Sequence, residues 1–402
     1  MTTQPTQSFS LLAARATPAR PARPENRFGL DYRLAAELLP RTPSPIVDIH
    51  THLNGPGALE IYRRVAGHFG VVKALTMVRL SEAETVKKSL GDFVHFIAFP
   101  DFRNPDRVRA FTEGFLEDIQ AFHDRFGSRM IKLWNAPRVY EMFPGAEGRG
   151  LVAFDGEWRV RQVALAQSLG MGVMVHVADP DTWFVAKYAD RNIYPTKREQ
   201  YVGLERLMDQ FNDVPFLGAH MGGYSEDLGF LDGLLTRHQN FHIDTSATKW
   251  VVRELSKHPT SRVVEFFDKW QGRICFGSDI VTTDEHLVRK DAGPAPAPAA
   301  PAPGFNAGKP AVVRHPMADL AESEETAFDL YASRYLALRM MFETDYDGES
   351  PIADPDLRMV DPSITDPLAA PTLRGLGLGK DRLAKLYRGA GVNLLAKMGL
   401  RL

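Results

Sequence analysis

Alternation is the feature that most constrains the fold. Eight short runs rich in β-branched residues are separated, for the most part, by longer segments with helical periodicity. The runs are 46–52, 71–80, 94–100, 129–134, 172–178, 214–221, 241–246 and 273–280. Strand–helix alternation of this kind indicates parallel α/β structure, because a helix is the usual crossover between parallel strands. The intervening segments carry helix signals of their own. "PDRVRAFTEGFLEDIQAFHDRFG" opens on a proline and ends on Gly127, and "EWRVRQVALAQSLG" also ends on a glycine. "SEAETVKKSLGD" has a serine cap, acids in its first turn and lysines near its end. Eight such units predict a (β/α)8 TIM barrel, a fold of typically ~250 residues. A doubly wound sheet is the alternative, but no glycine-rich phosphate fingerprint follows any run.

The chain of 402 residues is longer than such a barrel needs. Residues 1–27, rich in Pro, Thr, Ala and Arg, read as a disordered tail, and 28–290 as the barrel. Residues 291–316 form a Pro/Ala-rich loop that contains "AGPAPAPAAPAPGFNAGKP", 292–310. Residues 317–402 then supply helices that complete and cap the barrel. "DLAESEETAFDLYASRYLALRMMFET" reads as the eighth barrel helix, and the last helix carries Leu383, Leu386 and Tyr387 on one stripe. A net charge of -2 gives no reason to expect nucleic acid or an anionic membrane as partner. No apolar run approaches the length of a membrane span. The first 24 residues contain arginine and no acid, yet "FSLLAA" is too short for a signal core, so the expected location is cytoplasmic. The expected partner is a small-molecule substrate, and a homodimer is compatible with the sequence. The single cysteine, Cys275, excludes a disulfide framework and any zinc site of several thiolates; mid-strand, it reads as a core thiol.

The segment "IVDIHTHLNG", 46–55, brings His50 and His52 to the end of the first strand. Alternation puts Asp48, His50 and His52 on one face and Val47, Ile49 and Thr51 on the other. Two such histidines are either strand-end residues bonded to nearby backbone or a metal-ligand pair. Catalytic groups of a barrel come from the C-terminal ends of several strands. There, "GVMVHVAD" supplies His176, "FLGAHMGG" supplies His220 and "ICFGSDI" supplies Asp279. Five metal-competent residues at one predicted pole favour the metal reading.

This pattern resembles the amidohydrolase superfamily, specifically its amidohydrolase-related branch. That branch holds aminocarboxymuconate-semialdehyde decarboxylase, γ-resorcylate decarboxylase and several lactone hydrolases. "DIHTH" and "FGSD" are the specific motifs, "AHMGG" supports them, and the likeness runs over roughly residues 44–285. The resemblance implies one divalent metal, zinc first and manganese second, bound by His50, His52, His176 and Asp279. It further implies that His220 is the acid/base group beside a metal-bound water. Elementary chemistry agrees, since zinc takes imidazole and carboxylate ligands and brings bound water to a pKa of about 7. Asp279 can then touch the metal and accept a proton, while His220 polarises or protonates the substrate.

Several residues stay ambiguous. Lys132, in "MIKLWN", is either the carbamylated, metal-bridging lysine of two-metal superfamily members or an ordinary lysine that binds a substrate carboxylate or an acid. Asp244, in "HIDTSA", either orients a ligand or bonds its own loop, and His242 lies too early in that strand to reach the pole. Trp183 and Phe184, in "VADPDTWF", are substrate-binding pocket aromatics or are buried under a loop. The expected activity is metal-dependent hydrolysis of a small, carboxylate-bearing substrate such as a lactone or amide. Non-oxidative decarboxylation at the same site is the alternative, and a non-catalytic metal-binding barrel is the third reading.

Overall fold

The computed structural model describes residues 10–289, 318–358 and 360–402, so the Pro/Ala loop expected at 291–316 lies outside the described residues. Seven strands pair in parallel, each with the next in sequence: β1 (Ile46–His52), β2 (Val71–Met77), β3 (Val94–Ala98), β4 (Met130–Trp134), β5 (Gly172–His176), β6 (Phe216–Gly218) and β7 (Phe241–Asp244). Two short strands close the ring. β8 (Ile274–Cys275) pairs with β7, and β9 (Ile280–Val281) pairs with β1. The eighth strand expected at 273–280 is therefore present as two ends of one crossing, interrupted at 276–279. The result is a closed, all-parallel (β/α)8 barrel with helices between successive strands.

The interruptions fall at the C-terminal pole. β6 stops at Gly218 because His220 and Met221 adopt left-handed backbone, with φ of 58° and 52°. Asp279, in the gap between β8 and β9, has φ of 61°, and Ala247, just beyond β7, has φ of 59°. These are the four non-glycine residues with positive φ among the described residues, and each costs on the order of 1–3 kcal/mol. Strain gathered at one pole of a barrel marks where the backbone is bent to aim side chains.

A bulge in β1 corrects the simple alternation expected there. Asp48 pairs with Ala74 and Thr51 with Thr76, so β1 spends three steps where β2 spends two. One extra residue reverses which side chains face inward. Before the bulge, Val47 and Ile49 pack inside the barrel with Leu75, Met130 and Met174. After it, His50 and His52 take the interior at the mouth. Asp48 does not share their face; its carboxylate accepts from Ser278 Oγ at 2.6 Å and from Tyr335 Oη at 2.8 Å, on the outer helix Glu324–Glu343. It thereby ties the first strand, the eighth crossing and the last barrel helix together behind the site.

Two other expectations are corrected. The helix read from 105 to 126 is broken into Arg107–Phe111 and Glu113–Phe126. At the break, Thr112 Oγ1 donates to the Val108 carbonyl at 2.6 Å, an alternative to continued helical bonding. The N-terminal segment, expected to be disordered through residue 27, packs from residue 10 onward: Leu11 and Ala14 are buried, and Arg20 pairs with Asp329 at 3.0 Å. Asn26 adds a 2.8 Å bond to the same carboxylate. Its basic residues meet acids of a helix far along the chain, which local composition does not reveal.

The C-terminus closes the other pole. Leu394, Leu395 and Met398, on and just after the helix Ala390–Lys397, pack onto the interior cluster of Val47, Ile49 and Met174. Cys275 is buried in that same cluster. The interior at that end is thus filled by apolar side chains, and the histidines gather at the other.

Candidate metal centre

His50, His52 and Asp279 converge there. One side-chain donor atom from each lies within 4.8 Å of the others. Asp279 Oδ1 is 3.5 Å from His50 Nε2 and 3.4 Å from His52 Nε2. The bulge supplies the imidazoles, and the left-handed turn supplies the carboxylate: Asp279 N donates to the His50 carbonyl at 2.8 Å, which fixes one against the other.

Behind this group sits a network that sequence reasoning left open or missed. His50 Nδ1 donates to Asp244 Oδ2 at 2.9 Å, which leaves Nε2 with its lone pair toward Asp279. The other Asp244 oxygen accepts from the His220 and Ser246 amides, each at 2.9 Å. Asp244 therefore does both things the sequence allowed: it orients a candidate ligand and it bonds its own loop. Ser246, two residues on, was not singled out, though period two places it on the same face. Its hydroxyl donates to Asp244 Oδ1 and lies 2.8 Å from His220 Nδ1. His50, His220 and Asp244 also form a compact group, but both Asp244 oxygens are already taken, so this group is a support and not a cation site. We predict that Asp244→Asn, which removes the acceptor for His50 Nδ1, weakens divalent-metal affinity by roughly 10–100-fold, measured by competition with a chelator.

The electrostatics separate an anion from a neutral base. Burial alone would raise the Asp279 carboxyl, but the hydrogen bond with His52 and the nearby His50 and His220 rings overcome it and hold the group well below the usual range. Burial also opposes ionisation of Asp244, yet His50, His220 and Ser246 bring its pKa down to about 2. His220 is pushed far below the ordinary imidazole value by burial and then by the neighbouring His176, so it is neutral. Burial also lowers His50.

His176 stands one step away. Its Nδ1 is 3.3 Å from His220 Nε2 and its Nε2 is 3.2 Å from Asp179 Oδ1, so it is held beside the cluster but lies outside the compact three-donor group. Lys132 is buried, with Nζ 3.4 Å from His50 Nε2 and 3.2 Å from Met174 Sδ, and burial lowers its pKa to about 8. It has no carboxylate partner among the described residues and does not line the cavity above the cluster. His242 is buried near the opposite pole, 3.5 Å from Lys397, and takes no part.

That cavity has a volume of about 300 Å³. His176, His220 and Asp279 form its floor, and Trp134, Trp183 and Trp250 stand in its walls. Trp183 is therefore a pocket aromatic. Phe184 is not: it turns into the core against Tyr188, ring centroids 5.4 Å apart.

No protein-family model matches the chain, and no curated protein does. Among solved structures, it is similar to 2,6-dihydroxybenzoate decarboxylase from Rhizobium, with 13% identity and a TM-score of 0.37 over 59% of this chain and 88% of that one. It is also similar to 5-carboxyvanillate decarboxylase from Sphingomonas paucimobilis, with 9% identity and a TM-score of 0.36 over 58% and 88%. An amidohydrolase from Burkholderia multivorans gives 13% identity and a TM-score of 0.34 over 60% and 88%.

Proposed function

We propose that this chain is a metal-dependent enzyme of the amidohydrolase superfamily, in its amidohydrolase-related branch, that hydrolyses a small organic acid. The observation that carries the reading is the convergence of His50, His52 and Asp279 on one point, with Asp279 and His220 also lining the cavity. The donor set fits one divalent cation: two imidazole nitrogens and a carboxylate, with the His50 tautomer fixed by Asp244. His176 is the fourth donor in this reading, and zinc or manganese the cation. Bound there, the cation supplies Lewis-acid charge stabilisation and makes water acidic enough to ionise near neutral pH.

The remaining chemistry belongs to side chains. Asp279, held as an anion, accepts a proton from the attacking water at a carboxylate oxygen. His220 is neutral, with its one ring proton on Nδ1 toward the Ser246 hydroxyl; its Nε2 lone pair takes up the water proton relayed by Asp279 and then delivers it to the leaving group. The tryptophan walls exclude water from a flat substrate and orient it over this pair.

Decarboxylation is the second reading, favoured by the three tryptophans around so small a space, which suit an aromatic acid whose carboxylate is itself lost. Both readings are tested by one screen of lactones, amides and aromatic acids with the metal-loaded protein, following carbon dioxide release alongside acid production. Hydrolysis yields acid without carbon dioxide, and decarboxylation the reverse. A fully metal-loaded protein that turns over no member of the three classes supports a non-catalytic metal barrel and overturns the proposal.

A further inference from the structure

One carboxylate ties together the connections that follow three successive strands. Glu226 lies in the connection after β6 and does not itself line the cavity. Its Oε1 accepts from the Trp250 indole Nε1 at 2.9 Å and from the Asp181 amide at 3.0 Å. Trp250 belongs to the helix Thr248–Leu255 after β7, and Asp181 opens the helix Asp181–Ala186 after β5. Those two helices carry Trp250 and Trp183, two of the three tryptophans in the cavity walls.

Lys197 holds the other oxygen. It opens the helix Lys197–Gln210 and is 5% exposed, and its Nζ donates to Glu226 Oε2 at 3.0 Å and to Asp181 Oδ1 at 2.8 Å. The same ammonium stands 4.3 Å from the Tyr224 ring centroid and 5.2 Å from that of Trp250. A lysine so buried requires paired anions, because an isolated charge there is costly. Both oxygens of Glu226 are thus fixed by donors from three separate segments. The Trp250 ring in turn stands 6.2 Å from the His220 ring, so the place of the indole decides what can reach that imidazole.

We infer that Glu226 is a positioning residue for substrate binding: it fixes the Trp183 and Trp250 walls relative to each other, and so orients a flat acid beside His220. The inference rests on the proposed function for what the walls hold, and it deepens that reading by naming the group that sets them. Walls ordered in advance strengthen binding, since the ligand does not have to order them. The hydrogen bonds of Glu226 go to the walls and not to the histidine cluster, so metal content does not depend on it.

The test is proton–nitrogen correlation spectroscopy of zinc-loaded protein labelled at the tryptophan indoles, with signals assigned by Trp183→Phe, Trp250→Phe and Trp270→Phe. Glu226→Met removes both acceptor oxygens. It moves the indole signals of Trp250 and of Trp183, two residues beyond the Asp181 amide, while Trp270 stays in place on its 3.0 Å bond to Asp232. Benzoate affinity by isothermal titration falls roughly 10-fold, the cost of ordering one or two wall side chains on binding, with zinc content unchanged. Glu226→Gln restores the two signals and the affinity, because its amide oxygen can still take both N–H groups. Should the Met variant fail to fold, Glu226→Asp decides: one methylene shorter, it cannot meet all three donors, and the same two signals move. Trp183 and Trp250 signals that stay in place, signals that move only together with Trp270, or benzoate affinity untouched by Glu226→Met overturns the inference. An unmodified protein that takes up no zinc or binds no benzoate refutes the proposed function alone, since the indole signals report the walls without either ligand.

Discussion

His220→Asn leaves bound metal nearly unchanged while turnover falls by roughly 10²–10⁴-fold, the span expected when a positioned acid/base group is removed. The basis is geometric. His220 faces the cavity, yet its neighbours are Ser246, His176 and the support carboxylate Asp244, whereas Asp279 is approached by His50 and His52. Asparagine keeps a polar group of similar reach and cannot carry the proton. Metal analysis and turnover on the same preparation separate the roles. If the metal is lost as completely as on removal of His52, then His220 is a ligand and the assignment of roles is wrong.

The second large effect is expected at the ligands. His52→Ala abolishes stoichiometric metal binding and turnover together, because it leaves only one imidazole and one carboxylate of the compact three-donor group. His52 is the cleaner of the strand-one histidines to test, since its side chain is 32% exposed whereas that of His50 is fully buried. His50→Ala should lose the metal as well, but it also strands the buried Asp244 carboxylate and so lowers stability. Asp279→Asn falls between: an amide oxygen can still approach a cation but cannot take a proton. Thermal unfolding with and without a chelator shows the distinction, since the His52 variant has lost the metal-dependent part of the stability and little else.

Much of this was legible before any coordinates. The positions of the strand runs reported a parallel barrel, and the histidines and Asp279 at their ends reported the pole. What stayed hidden has a physical reason in each case. The β1 bulge is a matter of register with β2, so the period-two reading put Asp48 on the wrong face. The left-handed turns at His220 and Asp279 lie in residue types that rarely adopt them, and the strands around them came out shorter than expected. The dual role of Asp244 depends on a hydrogen bond to His50, a partner from the other end of the barrel. The tail from residue 10 was misread for the same reason, because its partners are acids more than 300 positions away.

Elemental analysis of protein purified without chelator, with turnover measured on the same sample, tests the central claim most directly. About one equivalent of zinc or manganese per chain is expected, from a single carboxylate–imidazole cluster of this kind. Chelation should remove metal and activity together, and either metal should restore both. Two equivalents with a modified Lys132 would replace the single-ion site with a binuclear one. Full turnover by protein that contains no metal would contradict the account.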